Sequence, residues 1–150
     1  MSQPRIALLP DRGVVSVTGE DAAKLLQGVV TSDMDRLASE PAIHAGLLTP
    51  QGKILFEFFV AKIEGGFLLD VARSSVAEFV KRLSMYRLRA KAAIADLSRS
   101  HVAAALWDGA PAATADATAF IDPRCASLGW RLIFPNDRSR TMLETTRAAN

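Results

Sequence analysis

Two apolar runs flanking Thr49-Pro50-Gln51-Gly52 limit the fold of this chain more than any other feature. Proline at the second turn position and glycine at the fourth favour a type I turn, so Ala42 to Leu48 and Lys53 to Ala61 are predicted to form a β-hairpin. Side chains alternate along a strand. Ile54, Phe56, Phe58 and Val60 therefore share one face, and Leu55, Glu57, Phe59 and Ala61 the other, leaving a single carboxylate among apolar neighbours. Gly65-Gly66 then turns the chain into a further strand, Phe67 to Val71.

The flanking segments add helices. Val14, Val15 and Val17 read as a strand over Gly13 to Val17. Thr18 and Asp21 form a T-x-x-D capping signature for a helix with Ala22, Leu25, Leu26 and Val29 on one face and Gly28 at its end. A second helix opens on a capping box of Ser75 and Glu78, with Val76, Phe79, Val80 and Leu83 as its apolar stripe, and leads to a strand over Lys91 to Asp96. The order βαβββαβ predicts an α+β unit over residues 1–97, with helices packed on one face of a mostly antiparallel sheet in the manner of ferredoxin-like units. A second α+β unit, residues 98–150, would contain strands His101 to Trp107, Thr118 to Ile121 and Trp130 to Phe134. It adds a loop over Asp108 to Ala117 and a helix over Ser139 to Ala149. No terminating feature follows, and this unit is expected to be incomplete.

At 150 residues, 49% hydrophobic and 23% charged, the chain can bury a real core. No apolar run approaches the ~18 residues of a membrane span. The apolar start is broken at once by Pro10, Asp11 and Arg12, unlike a signal peptide. One cysteine excludes an internal disulfide and a thiolate zinc cluster, and it fits a reducing compartment, so a cytoplasmic location is expected. A net charge of +2 with 7% aromatics gives little support to nucleic-acid binding. No phosphate-cradling glycine motif occurs.

Several segments, in order, resemble the YgfZ group of the YgfZ/T-protein (GcvT-like) superfamily of folate-binding proteins: V17-T-G-E-D-A-A-K-L-L-Q-G28 with T31-S-D33, L47-L-T-P-Q-G-K-I-L55, F67-L-L-D70, Y86-R-L-R-A-K91, and D122-P-R124 with L128-G-W-R131. The resemblance runs from about Gly13 to Phe134. It implies domains arranged as a ring around a cavity for tetrahydrofolate, and a role in assembly or repair of iron–sulfur clusters. The group's K-G-C-Y-x-G-Q-E signature is absent from these 150 residues, and in relatives it lies further along, so the chain reads as the N-terminal portion of a longer product. The T-protein pattern G-G-[IV]-x-D-D-L-I-V lies against Gly52 to Val60. It puts Phe56 where that enzyme has its catalytic aspartate and Glu57 at the next position. A phenylalanine cannot handle a proton, but its ring is expected beside the pterin.

The resemblance thus implies a folate wall of Leu48, Glu57, Leu68 and Asp70, with no catalytic residue and no metal ligand assigned. Glu57 is either a pterin ligand or a sheet-edge carboxylate paired with Arg or Lys. Asp70 stands where the T-protein has an asparagine near the folate, and otherwise organises a turn. Arg87, Arg89 and Lys91, spaced by two, would share a face on extended backbone. They would then attract the glutamate tail of folate, an acidic partner or RNA phosphate, or else form a solvated edge. Cys125 reads as a bystander, and His44 and His101 lack a neighbouring ligand set. The leading expectation is a folate-binding factor for iron–sulfur protein maturation, with folate and iron–sulfur client or assembly proteins as partners. A folate-dependent aminomethyltransferase or demethylase is the alternative, and an interaction domain with a vestigial pocket is a third. The chain alone is expected to self-associate through apolar surface that later segments would cover.

Overall fold

The computed structural model describes residues 3–112 and 116–148. Nine strands and three α-helices are found among them: β1 (Arg5–Leu8), β2 (Arg12–Thr18), α1 (Ala22–Val29), β3 (Ala42–Leu48), β4 (Ile54–Ile63), β5 (Gly66–Ala72), α2 (Val76–Arg87), β6 (Ala93–Asp96), β7 (His101–Trp107), β8 (Thr118–Ile121), β9 (Trp130–Pro135) and α3 (Ser139–Ala148). From β2 to β6 the order is the predicted βαβββαβ. Ala149, the expected last residue of α3, and part of the Asp108 to Ala117 loop lie outside the described residues.

Two antiparallel sheets result, one of five strands in the order β3-β4-β5-β2-β6 and one of four in the order β1-β7-β9-β8. The fold is α+β, as expected. Strand β1 was not anticipated from the short apolar start of the chain. It pairs with β7 across Arg5 to Leu8, so residues from the start of the chain form an edge of the second sheet. The β3–β4 hairpin closes where Gly52 N donates to Thr49 O at 2.9 Å, with Gly52 at φ 85°.

Three apolar clusters define the layers. Helices α1 and α2 cover one face of the five-stranded sheet, burying Leu25, Leu26, Phe79 and Leu83 against Val15, Val17, Phe58, Val60 and Leu69. The opposite face meets the second sheet through Val14, Phe59, Ala61, Leu68, Phe120 and Ile133. Helix α3 packs Met142 on the far side of the second sheet against Ile6, Leu106, Leu132 and Phe134. The alternation predicted for β4 holds, with Phe58 and Val60 toward the helices and Phe59 and Ala61 toward the second sheet.

Local punctuation differs from expectation in three places. Thr18 ends β2, and Asp21 is the N-cap of α1 but makes no side-chain capping bond; its carboxylate accepts instead from Lys91 N at 2.8 Å. Ser75 caps α2 without a side-chain bond, because a short 3-10 turn over Arg73–Ser75 leads into the helix. Gly28 lies inside the last turn of α1 rather than beyond its end.

Candidate functional site

The seam between the sheets carries charge. Asp70, on β5, is fully buried. Strand register puts it opposite Val14 on β2 and Phe59 on β4. Arg12, two residues from Val14 and on the same face, reaches it diagonally. Its Nε donates to Asp70 Oδ1 at 2.6 Å, and its Nη2 to the Asp70 carbonyl at 2.9 Å. From the second sheet, Arg131 Nη2 donates to Asp70 Oδ2 at 2.8 Å. Arg131 has only 11% of its side chain exposed, and its buried Nε has no hydrogen-bond partner.

Two guanidiniums lie over Phe59, that of Arg131 at 4.6 Å from the ring centroid and that of Arg124 at 4.9 Å. Such contacts stabilise by roughly 0.5–2 kcal/mol each according to desolvation. Arg124 is held as a fork: its Nε and Nη2 donate to the two oxygens of Asp122 at 3.0 and 2.7 Å, and its backbone N–H donates to Oδ1 at 3.0 Å. Burial pushes the Asp122 carboxyl up, but the hydrogen bonds from Arg124 and the charges of Arg124 and Arg131 together hold it below its ordinary value. The same pairing raises Arg124. Gly129, at φ 85°, lets the chain turn from Asp122-Pro123-Arg124 into β9, where a Cβ would run into the Leu106 carbonyl. His44 packs on Phe59 at 5.3 Å, and its Nε2 is 3.9 Å from Glu57 Oε2.

The structure separates the residues singled out from sequence. Asp70 and Leu68 share the seam, but both oxygens of Asp70 are taken by arginines and Leu68 is closed in by apolar neighbours. Glu57 is on the same sheet face with 70% of its side chain exposed. Leu48 is not with them: a register shift after Leu47 puts it in a cavity of about 240 Å³ with Val29, Thr49, Pro50 and Tyr86. The Phe56 ring, expected beside the pterin, is on the helix side of the sheet, edge-on to Phe79 at 5.3 Å.

Arg87, Arg89 and Lys91 are not on extended backbone. Arg87 ends α2 and the chain turns immediately, with Ala90 N donating to Arg87 O at 2.8 Å. Arg87 and Arg89 line a cavity of about 490 Å³, whereas Lys91 pairs with Glu20 at 3.2 Å. Cys125 is exposed. Its thiol is lowered by a hydrogen bond with the Ser127 hydroxyl, 2.9 Å away. Burial lowers His101, against the charge of Asp137.

Sequence reasoning missed Arg12, Phe59, Asp122, Arg124 and Arg131 as one cluster. The available signal was Arg131 sharing a strand face with Ile133, since an arginine on an apolar face calls for a buried carboxylate such as Asp70.

No family model matches the chain. It is 35% identical over 143 residues to the mitochondrial iron–sulfur cluster assembly factor IBA57 homolog of Mycosarcoma maydis, a match covering 85% of this chain and 35% of that protein. For the corresponding protein of Pyricularia oryzae the identity is 32% over 142 residues, covering 89% and 36%. The chain thus spans about a third of the length of these relatives. Among solved structures, the glycine cleavage system aminomethyltransferase T from Bartonella henselae superposes with a TM-score of 0.76 over 97% of this chain and 45% of its own, at 13% identity. A chain of the heterotetrameric sarcosine oxidase from Corynebacterium sp. U-96 gives 0.57, covering 97% and 83%, at 12% identity. The fold is thus that of the aminomethyltransferase T class. Within that class the chain belongs to the YgfZ/T-protein superfamily, on its YgfZ-type branch. The cytoplasmic expectation is overturned, because these relatives are named as mitochondrial proteins. A single reduced cysteine does not distinguish one reducing compartment from another. No helix among the described residues is long and apolar enough to cross a membrane.

Proposed function

We propose that this chain contributes to a tetrahydrofolate-binding factor that supports iron–sulfur cluster assembly or repair and does not transfer aminomethyl groups. The observation that carries the reading is the 35% identity, across 85% of the chain, to a protein named as an iron–sulfur cluster assembly factor. The geometry supports the absence of transfer. At the position matching the enzyme's aspartate, Phe56 packs under α2, and the neighbouring Glu57 points from the opposite face. On this reading the flat folate ring lies at the seam rim, beside Glu57, His44 and the partly exposed Arg124 that packs over Phe59. Asp70 then serves by positioning Arg12 and Arg131 rather than by touching the ligand.

The test pairs two measurements. Deleting the native gene should lower the activity of iron–sulfur-dependent dehydratases, with iron-independent enzymes unchanged, and a plasmid copy should restore it; unaltered dehydratase activity would sink the assembly role. Calorimetric titration of the full native protein with tetrahydrofolate should give binding, while a one-carbon transfer assay against an authentic T-protein gives no turnover. Robust turnover would promote the enzyme reading, and absence of binding would leave an interaction domain.

A further inference from the structure

The turn after α2 holds a leucine in a glycine's conformation. Leu88 has φ 47° and ψ −113°, and the Arg87–Ala90 turn around it is closed by a 2.8 Å hydrogen bond. These angles are those of the first central residue of a type II′ turn, where glycine is the usual occupant. The side chain gains no burial in return, for Leu88 is 85% exposed. Strained backbone of this kind persists when surrounding structure or function requires it.

Leu88 walls a groove of about 490 Å³ whose apolar lining includes Leu25, Val29 and Tyr86, and a second hollow of about 240 Å³ continues it past Val29 and Tyr86 to the β3–β4 turn. Its floor contains Gly28, inside α1, where glycine weakens a helix. A Cβ there would meet nothing within 4 Å, so internal packing does not explain the residue. Lys24, Arg87 and Arg89 line the groove. Asp21, which lines it too, is already engaged by the Lys91 amide. Among the described residues, Lys24 and Arg89 have no carboxylate partner.

We propose that this groove, between α1 and the turn Arg87–Ala90, is a docking site for a partner-protein segment carrying apolar side chains flanked by carboxylates. The apolar residues would lie over Gly28 between Leu88 and Val29, and the carboxylates would meet Lys24 and Arg89. Charge complementarity sets the sign of the partner, and the bare glycine floor makes room for its backbone or a bulky side chain. The site is on the helix-covered side of the five-stranded sheet, away from the seam, and it does not depend on folate binding.

Fluorescence anisotropy on the full native protein tests this with a labelled peptide alternating Glu with Leu and Phe, compared with the same peptide carrying Lys for Glu. The acidic peptide should bind at least about tenfold more tightly than the basic one. Leu88→Gly, Gly28→Leu and Arg89→Glu should each weaken it by about tenfold, a loss readable against unchanged folding of Leu88→Gly and Gly28→Leu. Equal affinity for both peptides, no binding, or binding unaffected in all three variants overturns the proposal. A dimer seen in sedimentation that Leu88→Gly dissociates would assign the groove to a second copy of the chain and also overturn it.

Discussion

The two faces of the five-stranded sheet are held in opposite ways. Under α1 and α2 lies an apolar cluster built around Phe58, Phe79, Leu26 and Leu69. Burial there is non-directional, with each large side chain contributing roughly 1.5–3 kcal/mol. The face toward the second sheet has a smaller apolar patch crossed by Asp70, Arg12 and Arg131. Their net contribution is small, since desolvation offsets much of the Coulombic gain, yet removing one member leaves charge without a counterpart. The first face is held by non-directional packing, and the second adds ion pairs whose geometry links the two sheets.

The largest expected effect breaks the second face. Asp70→Ala takes from two largely buried guanidiniums the carboxylate they share and should cost about 3–5 kcal/mol in urea unfolding. Phe58→Ala, on the first face, should cost a similar ~3–5 kcal/mol by opening a cavity. Rescue separates the two. A triple variant, Arg12→Met with Asp70→Leu and Arg131→Met, should recover most of the Asp70 loss, because apolar residues can replace a buried ion cluster at little cost. If the triple variant is no more stable than Asp70→Ala, the charges do more than cancel one another.

That contrast also explains what was legible in the sequence. The helix-covered face follows from periodicity: the apolar stripes of α1 and α2 and the alternation of β4 needed only local pattern. The seam rests on residues far apart in sequence, Arg12 with Asp70 and Asp70 with Arg131. The spacing of charged residues carries no local period. Strand β1 was missed for the same reason, since a four-residue edge strand acquires its identity from its partner β7. Asp70 was picked out by resemblance, but its role depends on arginines that no motif linked to it. The extended reading of Arg87 to Lys91 failed because α2 runs to Arg87 and Leu88 adopts a conformation leucine seldom takes.

A smaller effect sharpens the seam further. Asp122→Asn keeps the shape but removes the charge that locks Arg124, whose side chain is 43% exposed and can find water instead. The expected loss at neutral pH is about 1–2 kcal/mol. The folded Asp122 carboxyl is held below its ordinary value near 3.8. Its contribution is therefore full above that value and disappears as pH falls through the lower folded one. Chemical unfolding of both proteins from neutral pH to below 3.8 should show the gap closing at the acid end. A gap independent of pH would assign Arg124's order to Phe59 rather than to Asp122.

The smallest expected effect has the opposite sign and lies at the edge of the helix-covered face. Leu88 at φ 47° carries a backbone penalty of order 1–3 kcal/mol, and its exposure returns almost nothing in burial. Glycine removes the penalty, but it also widens the unfolded ensemble, a term of roughly 0.4–1 kcal/mol against it. The balance predicts that Leu88→Gly stabilises the protein by about 1 kcal/mol, a rise of several degrees in a thermal melt for a chain of this size. Most substitutions of an apolar residue by glycine destabilise, so the sign alone is informative. A drop in melting temperature would mean that Leu88 packs on its own chain in solution and that the groove beside it is closed. A rise would leave the strain without a structural beneficiary, and a leucine that weakens its own fold is one whose use lies in what it touches outside it.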